Sequence, residues 1–313
     1  MTFELTILGS NSSIPAASRN PSAQILNIRD RYFLIDCGEG TQLQLRKNHI
    51  KMQRIGHIFI SHLHGDHYFG LVGLLSTMNL LGREKPLVIF GPEGLQRIIS
   101  IQLEAGDNKL RFPMEFRPVP NTSGAVLLED DILSVTTVKL NHRVPTTGFV
   151  FREKPAARKM RKDAIAAYNV PISQITRIKA GADFVAEDGR TIPNSELTLD
   201  PPVPRAFAYC SDTCYDESIL PHIQGVDLLY HEATFLNEKA ERAAQTLHST
   251  AEQAATIAVK AEVGRLVIGH YSARYRELEP FLEEACPVFA ATELGIEGKT
   301  YRVPVKRRVA SQA

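Results

Sequence analysis

The sequence contains no tryptophan, only four cysteines among 313 residues, and no apolar run near the roughly 20 residues of a membrane span. The cysteines form no CxxC pair, which is typical of reduced thiols in a cytosolic protein. The opening stretch MTFELTILGS lacks the basic start and the long apolar segment of a secretory signal. These absences predict a cytoplasmic protein that does not enter a membrane.

The sequence also lacks an excess of charge of one sign, because it contains 36 basic and 35 acidic residues and has a formal net charge of +1. No global electric field therefore recruits nucleic acid, and a polyanionic partner must be held by a local basic patch. The proportions of 43% hydrophobic and 23% charged residues are typical of a globular chain that buries a substantial core.

Short runs rich in Ile, Val, Phe and Tyr recur along the chain, bounded by Gly, Pro, Asn and Asp, as expected of strands. These runs are FELTIL, RYFLID, HIFIS, PLVIF, ILSVTTVKL, GFVFR, RAFAYCSD, DLLYHEA and RLVIGH. Helical patterns lie between them in YFGLVGLLSTMNLLG, PEGLQRIISIQLEAG and STAEQAATIAVKAEVG. The mixture predicts one α/β domain over residues 1–313, with two sheets flanked by helices.

One segment, from Phe151 to Pro204, departs from this pattern because charge, proline and alanine replace the strand-like runs. Its first part, REKPAARKMRK, carries six basic residues and one acidic residue. Strand-like sequence resumes at Arg205, so we interpret residues 151–204 as an arm inserted into the domain. The basic run by itself favours a solvated surface hairpin, and the alternative is a site for a phosphate backbone.

The stretch SHLHGDH, from Ser61 to His67, places three histidines and an aspartate directly after a strand-like run. The side chains of His62 and His64 leave an extended chain on the same side. Gly65 lets the chain turn, so that Asp66 and His67 begin a helix and point in different directions. This cluster favours a site for two metal ions over a set of satisfied core histidines.

Three further candidate ligands follow strand-like runs elsewhere in the chain, namely His142, Asp212 and His270. Each one alone has an ordinary explanation as a turn histidine, an Asx turn or a capping aspartate. Loops at one edge of a rigid sheet are, however, where binding sites are built. Beside the histidine-rich cluster, these residues predict that the metal site is completed by distant parts of the chain.

The HxHxDH pattern in SHLHGDH resembles the signature of the metallo-β-lactamase superfamily. Within that superfamily the chain resembles the short form of tRNase Z, the tRNA 3′-processing endonucleases, and the resemblance extends from Gly9 to Tyr275. The stretches that carry it are DCGEGTQ (Asp36 to Gln42), YHEATF (Tyr230 to Phe235), LHSTAEQAA (Leu247 to Ala255) and GHYSARY (Gly269 to Tyr275). The resemblance implies an αββα sandwich with an inserted basic arm and a dinuclear metal site at one edge.

The cofactor implied by the resemblance is a pair of Zn²⁺ ions per subunit, with Mn²⁺ as the alternative. The implied ligands are His62, His64 and His142 for one ion and Asp66, His67 and His270 for the other, with Asp212 bridging both. Asp36 is expected to support a ligand and not to bind metal itself.

The resemblance also implies catalytic roles around the metal ions. His248 is the expected general acid for the leaving 3′-oxygen, held in its protonated form by Glu232. Arg274 is expected to clamp the scissile phosphate. Asp66 is expected to be a metal ligand and also a catalytic residue. Without the resemblance we would interpret His248 as a histidine packed at a helix start. His231 is expected to be structural.

The implied partners are precursor tRNA and a second copy of the chain, whose arm serves the other subunit's site. The expected tRNA contacts are Arg19 and Asn20 in the loop PAASRN and Arg158, Lys159, Arg161 and Lys162 in the arm. Two departures concern these contacts: Ala17 replaces the lysine of the related PxKxRN loop, and the arm sequence NVPISQITRIKAG lacks a Gly-Pro stretch.

Two other functions remain open from the sequence. A different hydrolase of the same fold, such as a thioesterase, lactonase or phosphodiesterase, would not need the basic arm or the HEAT and HST stretches. A non-catalytic RNA-binding relative would be expected to lack some of the metal ligands, whereas this chain has the complete set.

Overall fold

The structure, a computed structural model, describes residues 2–306. Most of the C-terminal stretch PVKRRVASQA, predicted to be a basic tail with little structure, lies outside the described residues. The strands are β1 (Phe3–Gly9), β2 (Ala23–Ile28), β3 (Arg31–Cys37), β4 (Ile55–Phe59), β5 (Leu87–Gly91), β6 (Met114–Pro118), β7 (Val126–Glu129), β8 (Leu133–Leu140), β9 (Thr146–Glu153), β10 (Lys159–Met160), β11 (Phe184–Val185), β12 (Thr191–Ile192), β13 (Thr198–Leu199), β14 (Ala206–Cys210), β15 (Leu228–Glu232), β16 (Leu266–Gly269), β17 (Thr292–Leu294) and β18 (Thr300–Arg302).

The helices are α1 (Thr41–Lys47), α2 (Gly65–Tyr68), α3 (Leu71–Leu80), α4 (Leu95–Ala105), α5 (Lys162–Ala167), α6 (Ile172–Lys179), α7 (Asn194–Leu197), α8 (Leu220–Ile223), α9 (Ala240–Thr246), α10 (Ala251–Lys260) and α11 (Glu279–Ala285). Short 3₁₀ turns cover Met52–Arg54, Glu217–Ile219 and Asn237–Lys239. None of the helices within residues 2–306 combines the length and the apolar character that crossing a membrane requires.

The larger of two compact units contains two seven-stranded sheets. One has the strand order β18-β1-β2-β3-β4-β5-β6 and the other the order β17-β16-β15-β14-β9-β8-β7. Strands β3 to β6 run parallel, as do strands β14 to β17. Because the carboxyl ends of parallel strands meet at one sheet edge, the loops after β4, β14 and β16 can hold side chains close together.

Aromatic rings fill the space between the two sheets. Phe59 of β4 lies 5.3 Å from both Phe149 and Phe151 of β9, measured between ring centroids. Phe33 of β3 contacts Phe151 at 5.6 Å in the same way. Alternate residues of a strand face the same side, so the repeated aromatics of these runs form the inner layer.

Helices cover the outer faces of both sheets. On the first sheet α3 contributes Leu71, Leu74, Leu75 and Met78 to a buried cluster, together with residues of α4. On the second sheet α10 presents alanines and Ile257, and α11 adds Phe281. The four layers confirm the predicted α/β class and the αββα sandwich.

One predicted helix needs correction, and several strands were not predicted. The helix predicted to start at Asp66 and run onward is two helices, α2 and α3, separated at Gly70. The Gly70 amide donates to the Cys37 carbonyl at 2.9 Å, and a Cβ at this position would lie 2.1 Å from the Gly38 carbonyl oxygen. Strands β2, β6, β7, β17 and β18 of the two large sheets were not predicted.

Among the described residues, the smaller unit comprises Asp130–Leu133, Arg152–Arg205, Val305 and Lys306. It has its own small core, made of Ala164, Val170, Ile178, Phe184, Ile192 and Leu197. Strand β10 pairs with β13 and strand β11 with β12. A buried ion pair joins Arg205 to Glu153, with 2.9 Å between Nε and Oε2.

Candidate metal centre

The candidate ligands lie at the carboxyl ends of four strands or just beyond. His62 and His64 follow β4, and Asp66 and His67 lie in α2 directly after them. The other ligand-bearing loops follow β8, β14 and β16, which places His142, Asp212 and His270 at the same edge. Every one of these side chains belongs to one of three clusters whose donor atoms lie within 4.8 Å of one another.

The first cluster contains His62, His64, His142 and Asp212. The Nδ1 atom of His64 lies 3.0 Å from His62 Nε2 and 3.3 Å from His142 Nε2. Two ligands of a tetrahedral zinc ion with bonds of 2.0–2.1 Å are about 3.3 Å apart. The spacing of these nitrogens therefore fits ligands around one ion.

The second cluster contains Asp66, His67 and His270. The Nε2 atoms of both histidines lie 3.5 Å from Asp66 Oδ2. Both nitrogens are buried and have no hydrogen-bond partner among the described residues. A buried unpaired nitrogen costs free energy unless something binds it, and a cation is the partner that both nitrogens can share.

Asp212 faces both clusters. Its Oδ2 lies 3.6 Å from His62 Nε2 and 3.8 Å from His142 Nε2. Its Oδ1 lies 3.3 Å from His67 Nε2 and 3.2 Å from His270 Nε2. The donor set of imidazoles and carboxylates can therefore bind metal, with one carboxylate between the two halves.

Hydrogen bonds at the far side of the rings fix which nitrogen points inward. His67 Nδ1 lies 2.8 Å from Asp36 Oδ2, and His142 Nδ1 lies 2.9 Å from the Leu247 carbonyl. Both partners only accept, so each Nδ1 carries a proton and each Nε2 is the nitrogen that faces the centre.

His270 and His62 are fixed in the same way by hydroxyl groups. Thr234 Oγ1 donates to Glu232 Oε2 at 2.7 Å and so accepts from His270 Nδ1 at 2.9 Å. Ser61 Oγ donates to Asp36 and so accepts from His62 Nδ1 at 3.0 Å. Only His64 presents Nδ1 to the cluster.

Asp36 accepts several of the hydrogen bonds behind the candidate ligands. The fully buried carboxylate accepts hydrogen bonds from the Ser61 amide, the Ser61 hydroxyl, His67 and the Tyr209 hydroxyl. Its backbone has a φ of 56°, which is unusual outside glycine. A residue keeps such a backbone conformation only where its surroundings hold it in place, and here the four hydrogen bonds to the carboxylate hold Asp36.

The charges of the centre depend on one another. Burial alone would raise the pKa of the Asp212 carboxyl, but His270, His67 and His62 outweigh it and hold that pKa well below its ordinary value. Burial would lower the pKa of His67, but the carboxylates of Asp212, Asp66 and Asp36 raise it well above the ordinary value. Metal binding must therefore displace a proton from His67.

His248 and Glu232 form a pair beside the ligands. Glu232 ends β15, is fully buried, and lies 2.7 Å from His248 Nδ1 through its Oε1 atom. Burial would lower the pKa of His248, but the Glu232 carboxylate outweighs burial and raises it to about 9. The His248 ring lies 5.0 Å from the His142 ring and 5.5 Å from the His270 ring. A protonated imidazole thus stands next to the metal ligands at neutral pH.

His248 also belongs to the third cluster, with Asp212 and His270. Its bond to Glu232 occupies Nδ1 and leaves Nε2 for either a proton or a metal ion. His231, by contrast, is buried and donates from Nδ1 to the Glu232 carbonyl at 2.7 Å, which is a structural contact.

An open cavity of about 290 Å³ lies next to the centre. His64, Asp66, Asp212 and His248 line it together with Glu39, Phe69 and Arg143. Sequence reasoning missed the last three residues. Phe69 and Arg143 follow soon after candidate ligands in the sequence, so their nearness to the site could have been predicted. The sequence alone does not show that both side chains are exposed.

Arg274 does not line this cavity. Its Nε donates to Ser272 Oγ at 3.0 Å, and its guanidinium carbon lies 5.1 Å above the Phe235 ring. That ring in turn lies 6.1 Å from His248. Phe235 therefore lies between Arg274 and the His248–Glu232 pair.

The residues predicted to contact tRNA have internal contacts of their own. Arg19 donates to Asn11 Oδ1 at 3.0 Å and to the carbonyl of Arg276 at 3.2 Å. Asn20 Nδ2 donates to Glu297 Oε2 at 2.9 Å. These contacts brace the loop and leave its tRNA binding a prediction.

In the arm, Arg158 donates to Thr198 Oγ1 at 2.6 Å and pairs with Asp200. Arg161 pairs with Asp163 at 2.9 Å. Lys159 and Lys162 are exposed. Binding of tRNA by the four arm residues likewise stays a prediction.

Two packed sheets with a histidine and aspartate centre at the ends of their strands define a metallo-β-lactamase-fold protein. The metallo-beta-lactamase fold protein YhfI from Bacillus subtilis superposes on this chain with a TM-score of 0.66, over 96% of this chain and 100% of that one, at 19% identity. That likeness shows the fold. The family model described as Anti-Pycsar protein Apyc1 matches residues 3–154.

Sequence relatives define the family more closely. Ribonuclease Z of Parabacteroides distasonis is 47% identical over 296 residues, which are 95% of this chain and 97% of the relative. Ribonuclease Z of Cytophaga hutchinsonii is 48% identical over 304 residues, 97% of each chain. The crystal structure of human tRNase Z, short form, has a TM-score of 0.70 at 27% identity and covers 96% of this chain and 99% of that one. The chain belongs to the ribonuclease Z family.

Proposed function

We propose that this protein is a zinc-dependent endoribonuclease that removes the 3′ trailer from precursor tRNA in the cytoplasm. The products are tRNA with a 3′-hydroxyl and a trailer with a 5′-phosphate. The observation that carries the proposal is the position of Asp212 between two ligand clusters, beside the protonated His248–Glu232 pair. Membership of the ribonuclease Z family supplies the substrate class.

Two Zn²⁺ ions per subunit suit the donors, with Mn²⁺ as the alternative. His62, His64 and His142 would hold one ion, and Asp66, His67 and His270 the other, with Asp212 between them. When bound, such a pair of cations lowers the pKa of water and offsets charge on a phosphodiester.

The side chains of the chain itself handle the leaving group. His248 gives its Nε2 proton to the departing 3′-oxygen of the tRNA, which would otherwise leave as an unstable alkoxide. Glu232 keeps His248 protonated at neutral pH and fixes its ring, because Thr213 and Thr234 hold the carboxylate in place. Asp66 is oriented by the Ser13 amide, which donates to Oδ2 at 2.7 Å.

The contacts with tRNA are proposed at three places. Arg274, whose guanidinium lies above the Phe235 ring, clamps the scissile phosphate. Arg19 and Asn20 contact the RNA from the braced loop. Residues 151–204 form an arm of the 1–313 domain that binds the tRNA body through Arg158, Lys159, Arg161 and Lys162. In a homodimer, the arm of one subunit serves the site of the other.

A small-molecule phosphodiesterase of the same fold is the second candidate, and the family model described as Anti-Pycsar protein Apyc1 matches residues 3–154. That match ends before most of the arm and does not include Glu232 or His248. A thioesterase or lactonase needs neither feature. A non-catalytic RNA-binding protein would not need the complete ligand set that the structure brings together.

One assay separates these functions. Purified protein is incubated with end-labelled precursor tRNA, with a cyclic mononucleotide, and with a small chromogenic phosphodiester, before and after chelation. We expect chelator-sensitive cleavage of the precursor at a single position after the discriminator base, mapped by sequencing the ends. Hydrolysis of the mononucleotide without cleavage of any precursor would favour the second candidate and overturn the first.

A further inference from the structure

A second groove, of about 490 Å³, opens beside the candidate metal centre. His142 and Arg143 lie in its wall, and Arg143 also lines the cavity next to the ligands. The groove and the cavity therefore meet at Arg143. A volume of this size lies within the range of sites for nucleotide-sized ligands.

The loop that carries Arg143 is tied at both ends to segments that carry metal ligands. At its start, the Asn141 amide donates to Thr213 Oγ1 at 3.1 Å, one residue beyond the bridging aspartate. At its end, the Thr147 amide donates to the Ser61 carbonyl at 3.1 Å, one residue before the first histidine ligand. The wall of the groove is thus anchored to the metal centre on both sides.

The groove is electropositive. Lys139 and Arg143 are exposed in its wall, and Asp216 is the sole carboxylate among the described residues that line it. Asp216 keeps its charge and accepts a hydrogen bond from the Ser218 amide at 2.8 Å through Oδ1. Two cations against one carboxylate leave the lining of the groove with a formal charge of +1.

Both cations are available to a ligand. Within residues 2–306, neither the Arg143 guanidinium nor the Lys139 ammonium makes a hydrogen bond or an ion pair with the protein. Arg205, by comparison, is fully engaged with Glu153. A guanidinium presents its donors in a planar fork that matches a phosphate, and an ammonium serves as a point charge for one.

Neutral groups in the same groove suit the remainder of a nucleotide. The amide side chains of Asn121 and Asn141 are exposed in the wall. Amide side chains donate to and accept from sugar hydroxyls and base edges, whereas they add no charge. Cations and amides along one groove are the combination that follows a single-stranded RNA backbone.

We infer that the groove of Lys139 and Arg143 binds the phosphate backbone of single-stranded RNA adjoining the scissile phosphate, with Arg143 as a positioning residue. This inference rests on the proposed function. Two strands share the required chemistry, namely the trailer beyond the cut and the unpaired 3′ end of the tRNA before it.

The test is binding of two non-cleavable products to the metal-loaded protein at several salt concentrations, measured by fluorescence anisotropy. One product is a 5′-phosphorylated oligoribonucleotide with the trailer sequence, and the other is mature tRNA with its single-stranded 3′ end. The double variant Lys139→Gln/Arg143→Gln is compared with the wild type. Each phosphate contact to single-stranded RNA contributes about 0.7 to the slope of log K against log salt, so losing two contacts lowers it by about 1.4.

The matched control is Lys85→Gln/Arg97→Gln, which removes one lysine and one arginine that are also exposed on the surface. A lower slope for the oligoribonucleotide in the groove variant alone assigns the groove to the trailer, and a lower slope for mature tRNA alone assigns it to the tRNA end. Equal slopes in wild type, groove variant and control for both products overturn the inference.

Failure of the proposed function gives a different result, because the wild type would then cleave no precursor. Arg143→Lys and Lys139→Arg keep the charges and should restore most of the salt slope, whereas a merely structural role would not be rescued in this way. Should the double variant fail to fold, as judged by its melting temperature, the two single glutamine variants are measured, each with an expected slope loss of about 0.7.

Discussion

Asp212 stands between the two halves of the metal centre, with Oδ2 3.6 Å from His62 Nε2 and Oδ1 3.2 Å from His270 Nε2. The side chain is buried and follows directly from strand β14 through Ser211. Because the two oxygens of one carboxylate face separate clusters, we expect occupancy of one cluster by a metal ion to affect the occupancy of the other.

Asp212→Ala should therefore lower the metal content of both clusters, because each loses a ligand and the charge that offsets its cation. His142→Ala removes a ligand from the first cluster only and should retain roughly one metal ion per chain. Elemental analysis after exhaustive dialysis measures both contents. Equal, near-complete retention in Asp212→Ala would show that the carboxylate does not bridge.

His248→Ala should keep its metal and lose roughly 10²–10⁴-fold in kcat on precursor tRNA, which is the usual contribution of a general acid. The measurement pairs steady-state kinetics with elemental analysis. The control is His222→Ala, a partly buried histidine on α8 outside the centre, which should retain wild-type kcat. Loss of metal from His248→Ala would place His248 among the ligands, as its third cluster with Asp212 and His270 allows.

The pH dependence of kcat should reflect the protonation of His248 beside Glu232. Glu232 raises the pKa of His248 to about 9, so the acid is protonated below that pH and kcat should fall as pH rises above it. Glu232→Gln removes the charge that raises the pKa and should move the fall toward the ordinary value of about 6.5. An alkaline limb that stays in place in Glu232→Gln contradicts the assignment.

The contribution of the His248–Glu232 pair to the stability of the fold should also fall as pH rises. A histidine whose pKa is raised in the folded state contributes stability that is fully present below its unfolded pKa and is lost as pH rises through about 9. Thermal unfolding of wild type and Glu232→Gln between pH 6 and about 10 should therefore converge at high pH.

Asp36→Asn should weaken metal binding by roughly 10–100-fold, because His67 loses the charged acceptor that fixes its tautomer. Asparagine tolerates the left-handed backbone that Asp36 adopts, so the fold should be retained. Asp30→Asn is the matched control, since Asp30 has a φ of 65° but is exposed. Competition with a fluorescent chelator measures both affinities, and equal values would remove Asp36 from the support of the centre.

Lys159→Gln/Lys162→Gln should raise KM for precursor tRNA with little change in melting temperature, because both side chains are exposed. A small phosphodiester has no extended backbone for the arm to contact, so its KM provides the reference. Arg158→Gln should also lower the stability of the arm, since Arg158 is bonded to Thr198 and Asp200. Equal rises in KM for both substrates would argue against the arm as a tRNA-binding element.

The sequence was most informative where one short stretch determines its own geometry. In SHLHGDH, the strand, the turn at Gly65 and the start of a helix fix the mutual directions of the side chains within seven residues. The α/β class followed from strand-like and helical periods in the same way. The single helix predicted after His67 was wrong because Gly70 packs against the backbone of Gly38, which no local pattern records.

The contacts between distant segments needed the tertiary structure. The sequence predicted that His142, Asp212 and His270 complete the metal site, although each one alone had an ordinary explanation as a strand-end residue. Their distances depend on strand order and register in two sheets, and so does the hydrogen bond from His67 to Asp36. The position of Arg274 above Phe235, away from the cavity, is likewise a result of packing.

The sequence by itself thus determined which side chains can bind metal, because that capacity belongs to their chemistry and their spacing along one strand and turn. The tertiary structure decided which of them meet and which nitrogen of each ring points inward. It also decided which cations beside the centre, such as Arg143, have no partner within residues 2–306. These properties arise from sheet register and side-chain packing, where residues far apart in the chain become neighbours.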